Sequence, residues 1–369
     1  MHPQRFIALA VALLLLSAAP SKAELRFAPL ATVIPAATSS STPVEACETN
    51  PFDSFVCYGP TAVRSAYGLN NLINSGLDGT RQTIVILNAY GSPSAADDLK
   101  GFDARFGLPN PPSFNVVKMP GTPDFDVSNG SMLGWALETS LDVQWAHAIA
   151  PNAKIVLVEA ASNTAGDLLT ALNYAIDRRL GDVISLSFGV SELSLTTADG
   201  QAAVQAWEQA FKRARRSRIT IVAAAGDSGS TNVADDLGNV FSAPNVNYPA
   251  SSPNVLSVGG TSLRVGIGGS ADPNGAYIGE TVWNGTPNMV VGGGGGISTL
   301  FRRPDYQDDL PSQTRRMLGN HRGVPDVAFG ADPLSGFLVY VGGLGIVDPS
   351  DPVTTIGGKI GRASCRERV

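Results

Sequence analysis

Short, uninterrupted apolar runs alternate along the chain with longer stretches in which apolar residues recur every three or four positions. The runs cover residues 83–87, 116–117, 155–158, 183–187 and 219–224. Between them, residues 95–106, 131–148, 166–180 and 201–216 carry the helical pattern. Strands that are apolar on both faces and separated by helices predict a parallel sheet covered on both sides. The expected fold class is therefore α/β. After Gly226 the pattern changes: Asn, Pro, Gly and Ser set long loops, a short strand is predicted at 255–258, and five glycines stand in a row at 292–296. No Gly-Lys-Ser/Thr follows the glycines and no helix opens there, which removes a phosphate cradle. A flexible loop, or close approach of backbone to a peptide, is the expectation.

Both ends differ from the middle. Arg5 precedes an apolar run over 6–16, and Ser21-Lys22-Ala23 puts small residues at the first and third positions before a cut. Residues 1–23 thus read as a secretory signal peptide, and the protein as secreted. A membrane anchor is the alternative, but the run falls short of the ~20 residues a span needs, and no later run is longer. Residues 24–46, rich in Ala, Ser, Thr and Pro without periodicity, read as a flexible leader to a domain at 47–358. Residues 359–369, KIGRASCRERV, resemble the in-frame translation of a sequencing adapter and are read as an artefact, the alternative being a natural basic tail.

Charge changes once the ends are set aside. The whole chain carries a formal -6, and residues 24–358 alone carry -11. That acidity argues against nucleic acid as a partner. Gly 40 and Pro 25 without a three-residue period exclude collagen, and 43% hydrophobic residues exclude a disordered chain. Cys365 lies in the tail, so Cys47 and Cys57 remain. In a secreted chain they suggest one disulfide, with two free thiols as the alternative. No Cys/His cluster suggests zinc.

Candidate chemistry centres on Glu138 and Asp142, four residues apart and so on one helical face. Two solvated carboxylates on an exposed face are the simpler reading. Trp135, Leu141 and Trp145 argue instead for a partly apolar setting, in which the pair shares a proton and acts as a general base at acidic pH. Only His147 and His321 remain for a Ser/His/Asp arrangement, and His147 at a helix end serves the helix dipole equally well. Ser228, in Gly226-Asp227-Ser228-Gly229, and Ser262, in a strand-like stretch, resemble nucleophiles in lettering only. Asp227 stands past the end of a predicted strand, where open α/β sheets place their sites.

In this order, the motifs resemble the sedolisin family, the serine-carboxyl peptidases with a subtilisin-like fold. The stretches are Glu138 to Asp142 with Trp145-Ala146-His147, Ser185-Leu186-Ser187-Phe188-Gly189, the Gly-Asp-Ser-Gly stretch, Tyr248-Pro249-Ala250-Ser251, Val258-Gly259-Gly260-Thr261-Ser262 and Arg322-Gly323-Val324-Pro325-Asp326. The resemblance implies Glu138 as general base, Asp142 holding the proton network, Asp227 as oxyanion donor, and Ser187 and Gly189 along a bound peptide. It further implies a monomer acting on peptides or proteins. A calcium ion is expected in the longer family member, with ligands beyond this chain. The family's nucleophile lies in a Gly-Thr-Ser segment, whereas here Thr354-Thr355-Ile356-Gly357-Gly358 runs into the suspect tail, so the chain is expected to lack the nucleophile. Two alternatives stay open: a secreted, non-catalytic peptide-binding module, and a subtilisin-type Ser/His/Asp protease.

Overall fold

The computed structural model describes residues 24–29, 57–232, 241–266, 275–285 and 291–345 in full, and backbone pairing for strands between 31 and 58 and at Val353–Gly358. Residues 1–23, read as a signal peptide, most of the stretch read as a leader, and residues 359–369 lie outside the described residues.

An eight-stranded sheet organises the fold. From one edge its strands are Ala276–Val282, Leu256–Gly266, Thr220–Ala224, Val183–Leu186, Thr83–Ala89, Lys154–Ala160 and Phe114–Lys118, with Val327–Gly330 also paired to Leu256–Gly266. Every pairing is parallel except that of Ala276–Val282. This is the α/β architecture that the apolar runs predict. The strand predicted at 255–258 continues to Gly266, because Leu263 and Val265 are buried while Arg264 between them is exposed, a two-residue alternation that carries the strand past Gly259-Gly260.

Alternation also sorts the two faces. Val85, Leu87, Ala89, Ile184, Leu186, Ile221 and Ala223 join one core with the helices Ala165–Asp177 and Ala198–Arg216. Ile84, Ile86, Val183 and Val222 point the other way, into a core shared with Ala95–Phe106 and Gly130–Ile149. The Gly130–Ile149 helix is buried from Trp135 to its end, so it is a central helix enclosed on all sides rather than an amphipathic surface helix. Its first turn is closed by Asn129, whose side chain accepts from the amides of Ser131 and Met132.

The reading of residues 24–46 as a flexible leader needs correction at its start. Phe27 is 1% exposed, its ring 5.4 Å from that of Phe188 and 5.3 Å from that of Trp207. Ala28–Pro29 pairs antiparallel with Phe188–Ser191, Ala28 opposite Gly189. Composition hid this because a single buried aromatic ring anchors the segment, and one side chain leaves no periodicity. Cys57 is buried and disulfide-bonded, with its partner outside the described residues.

Candidate active site

Parallel strands end at one edge of a sheet, and three neighbouring ones bring polar residues there together. Ile86, Ser185 and Val222 are in register. Two residues further on stand Asn88 and Ser187, on the faces that Ile84, Ile86 and Val183 turn toward the central helix. Asp227 lies three residues beyond the strand Thr220–Ala224. The central helix supplies Glu138 and Asp142 from consecutive turns.

Both helix carboxylates are buried. Glu138 is 0% exposed and Asp142 9%, which overturns the exposed-face reading and supports the apolar setting argued from Trp135 and Trp145, themselves fully buried. The Ser187 hydroxyl donates to Asp142 Oδ1 at 2.5 Å, and the Asn88 amide donates to Asp142 Oδ2 at 3.3 Å and to Thr139 Oγ1 at 3.2 Å. Thr139 Oγ1 in turn donates to the Trp135 carbonyl at 2.9 Å. Asp142 is therefore tied to two strand ends, and its rotamer is held from outside its own helix. A carboxylate fixed in this way can orient a neighbour's proton without searching for its partner.

Asp227 is held by a seam of bare backbone. The predicted close approach of the glycine run takes place, but to the chain itself: the Gly292 amide donates to the Asp227 carbonyl at 2.8 Å and the Gly294 amide to the Gly226 carbonyl at 2.7 Å. A Cβ on Gly294 would stand 2.3 Å from the Ala225 carbonyl oxygen, and one on Gly293 2.4 Å from that of Gly260. Gly226 itself has φ +112°, a conformation L side chains rarely adopt. The Asp227 residue is 8% exposed, and both its carboxyl oxygens are buried.

Asn88 and Thr139 were not singled out in the sequence. The signal for Asn88 was present: it continues the helix-facing row of Ile84 and Ile86, where an amide must find a buried partner. Glu159, opposite Asn88 in the next strand, is also buried, accepts from the Ser92 amide at 3.3 Å, and has its carboxyl pushed up chiefly by that burial. The histidines stand apart. His147 lies five residues past Asp142, ~140° round the helix, buried with Nε2 3.2 Å from Asp103 Oδ1 and 2.7 Å from the Pro109 carbonyl. His321 is exposed. Ser262 Oγ, in the strand Leu256–Gly266, donates to Asp332 Oδ2 at 2.5 Å beyond the end of the neighbouring strand Val327–Gly330, and Ser228 bridges to Gly292 in the turn after Asp227.

Residues 131–323, covering the central helix, Ser187, Asp227 and Arg322, match the family model described as the subtilase family. The chain belongs to that family, in its sedolisin branch. It is 35% identical over 292 residues to kumamolisin of Bacillus sp. (strain MN-32), and 27% identical over 280 residues to sedolisin of Pseudomonas sp. (strain 101). These alignments cover 78% and 72% of the chain. It superposes on the solved structure of Pseudomonas sedolisin, a serine-carboxyl proteinase complexed with pseudo-iodotyrostatin, with a TM-score of 0.63 and 26% identity over 82% of this chain and 76% of that one. The sedolisin-type chain spans about half the length of the curated relatives it matches, 48% of kumamolisin and 45% of sedolisin.

Proposed function

We propose that this chain is the carboxylate-bearing part of a secreted, acid-acting serine endopeptidase that hydrolyses peptide bonds in proteins. The observation that carries the reading is the convergence of buried Glu138 and Asp142, on successive turns of one enclosed helix, with Ser187 and Asp227 at the ends of adjacent strands. Glu138 takes the proton of the attacking serine and returns it to the leaving amine. A carboxylate suits that step at acidic pH, where an imidazole with its usual pKa near ~6.5 is already protonated. Asp142, held by Ser187 and Asn88, fixes the orientation of the proton pair. Protonated Asp227 donates to the oxygen that gains charge as the tetrahedral intermediate forms. The strand after Ser187 pairs with the substrate backbone.

The resemblance puts the nucleophile in a Gly-Thr-Ser segment; Gly260-Thr261-Ser262 lies within the strand Leu256–Gly266, and that role is given to no serine of this chain. For the calcium ion implied for the longer family member, no group of three or more His, Cys, Asp or Glu side chains suited to a metal occurs among the described residues. No step of this proposal runs through it. Among the described residues no helix is long and apolar enough to cross a membrane.

The test is hydrolysis of a denatured protein, from about pH 3 to about pH 7, by the product of the gene read through past Gly358, as wild type, Glu138→Gln and His147→Ala. Activity confined to the acidic half of the range, lost in Glu138→Gln and kept in His147→Ala, is expected. A folded, inactive wild-type product would favour the peptide-binding module, and a dead but folded His147→Ala the histidine protease.

A further inference from the structure

The edge of the sheet opposite the candidate site carries a row of cations. We propose that this row is a docking surface for a single strand of an anionic polysaccharide, which would hold the molecule on the polymer with the candidate site facing away. The surface needs none of that site's chemistry.

Asn88, Ser187 and Asp227 mark where the parallel strands end. Where they begin, four neighbouring strands each bring a cation. Arg218 stands two residues before Thr220–Ala224, Arg179 four before Val183–Leu186, Arg81 two before Thr83–Ala89, and Lys154 opens Lys154–Ala160. With neighbouring strands ~4.8 Å apart, the row is about 15 Å long. Backbone bonds hold it together: the Thr220 amide donates to the Asp182 carbonyl, the Asp182 amide to that of Thr83 and the Lys154 amide to that of Gln82, each at 2.9 Å. All four cations are exposed, and none forms an ion pair among the described residues.

The arginines are held in a conformation that does not suit them. Among the described residues four other than glycine have a positive φ, and three are Arg81 at +68°, Arg179 at +50° and Arg218 at +61°. Left-handed backbone strains an L side chain and leaves glycine unstrained. Arg179 and Arg218 each follow a helix, in the closing motif that ordinarily takes glycine. The Leu180 amide donates to the Ala175 carbonyl at 3.0 Å and the Ile219 amide to the Ala214 carbonyl at 2.9 Å. The dipole of the second helix does not require Arg218, since it favours cations in the last turn, where Arg213, Arg215 and Arg216 already stand. Strain kept at exposed positions, without packing in return, marks a binding surface.

The surroundings select the partner. A recess of about 220 Å³ at one end of the row is lined by Arg215, Arg218, Thr220 and Asn254, beside Ile219 and Ile221. Two guanidinium forks there match the oxygens of one sulfate or carboxylate group. The nearby acids are already engaged: Asp78 with the Thr80 amide and Asn152, Asp177 with Arg213, and Asp182 with the Thr83 amide. Large apolar side chains exposed close by are Leu77 and Tyr174, at 39% and 36%, too little to enter a bilayer or build a dry protein interface. Residues 24–358 carry -11 in all, so a wide duplex would meet acidic surface beyond the row, whereas a narrow chain need touch only the row.

The test is retention of the full chain, near neutral pH and at low salt, on immobilised dextran sulfate and polygalacturonate. The variants are Arg179→Gly with Arg218→Gly, Lys154→Gln alone, and as a control Arg315→Gln with Arg316→Gln, an exposed pair on another helix. Expected are binding that weakens as salt rises, a loss in affinity of about ten-fold or more for the glycine pair, about two-fold for Lys154→Gln, and less than about two-fold for the control. The glycine pair should unfold at a urea midpoint no lower than wild type, because glycine relieves the left-handed strain; a structural role for the arginines would lower it. Retention on dextran sulfate alone names sulfate as the bound group, and retention on both names either anion, each in support. No retention on either polymer, an equal loss in the control pair, or retention only on duplex DNA or on vesicles of anionic phospholipid overturns the proposal.

Discussion

Ser187, the residue after an inner strand of the sheet, holds Asp142 of the central helix by a 2.5 Å hydrogen bond across 45 residues of chain. Removing the acceptor leaves a buried hydroxyl without its partner and takes one of two acceptors from Asn88. Asp142→Ala should therefore lower stability by about 1–3 kcal/mol. The double variant with Ser187→Ala should recover part of that loss. Urea unfolding of the two single variants and the double variant gives the coupling, and strictly additive losses would mean that the bond stabilises nothing.

Arg322 is 0% exposed, and its guanidinium reaches both carboxylate oxygens of Asp326, at 2.8 and 2.6 Å, and the carbonyls of Ser252, Val255 and Gly323. Asp326 also accepts from the Ser257 amide, in the strand that carries Gly260. Breaking a buried pair by removing one partner costs about 3–5 kcal/mol. Arg322→Ala should cost that much, measured by chemical denaturation. A change below about 1 kcal/mol would show that water replaces the guanidinium.

The seam under Asp227 predicts a sharp response to a single methyl group. Gly294→Ala drives a Cβ against the Ala225 carbonyl, so either residues 225–229 shift or the glycine run does. A loss of about 1–3 kcal/mol is expected, together with faster exchange of the residue-294 amide. An unchanged melt with unchanged exchange would contradict the close approach.

Stability should also depend on acid. Glu208, packed beneath Tyr248 and Asn254, has its carboxyl pushed up by burial, as do Asp98 and Glu159. An acid whose pKa is raised in the fold binds its proton where the unfolded chain has lost it. Its contribution is therefore greatest at low pH and falls as pH rises through the folded value. Glu208→Gln, which mimics the protonated group, should match wild type at about pH 4 and exceed it at about pH 7. Equal urea midpoints at both pH values would refute this.

Sheet and helices were legible because the inner strands are apolar on both faces, so period and length were enough to mark 83–87 or 219–224. Glu138 and Asp142 were legible as a pair from their spacing, but not as buried. Burial there depends on the strands above the helix, and the helix, apolar around most of its circumference, gives no polar face to read. Asn88 went unread because an amide after Ile-Val-Ile-Leu looks like the end of a strand; only the row it continues betrays it. The glycine run was read as a flexible loop or an approach to a peptide, when its partner was the 225–229 turn, 69 residues earlier for Gly294 against Ala225. Phe27 escaped because the lone ring that docks the leader has no periodic company.

That ring has an optical consequence. The chain has four tryptophans, Trp135, Trp145, Trp207 and Trp283, and none is more than 1% exposed. Emission from the folded molecule therefore comes from indoles shielded from water, with no surface indole to mask a change. Trp207 is the one whose ring neighbours Phe27, so undocking of the leader would wet that indole first. A red shift on release of Phe27 would let the protein's own fluorescence report the seating of that ring without any label.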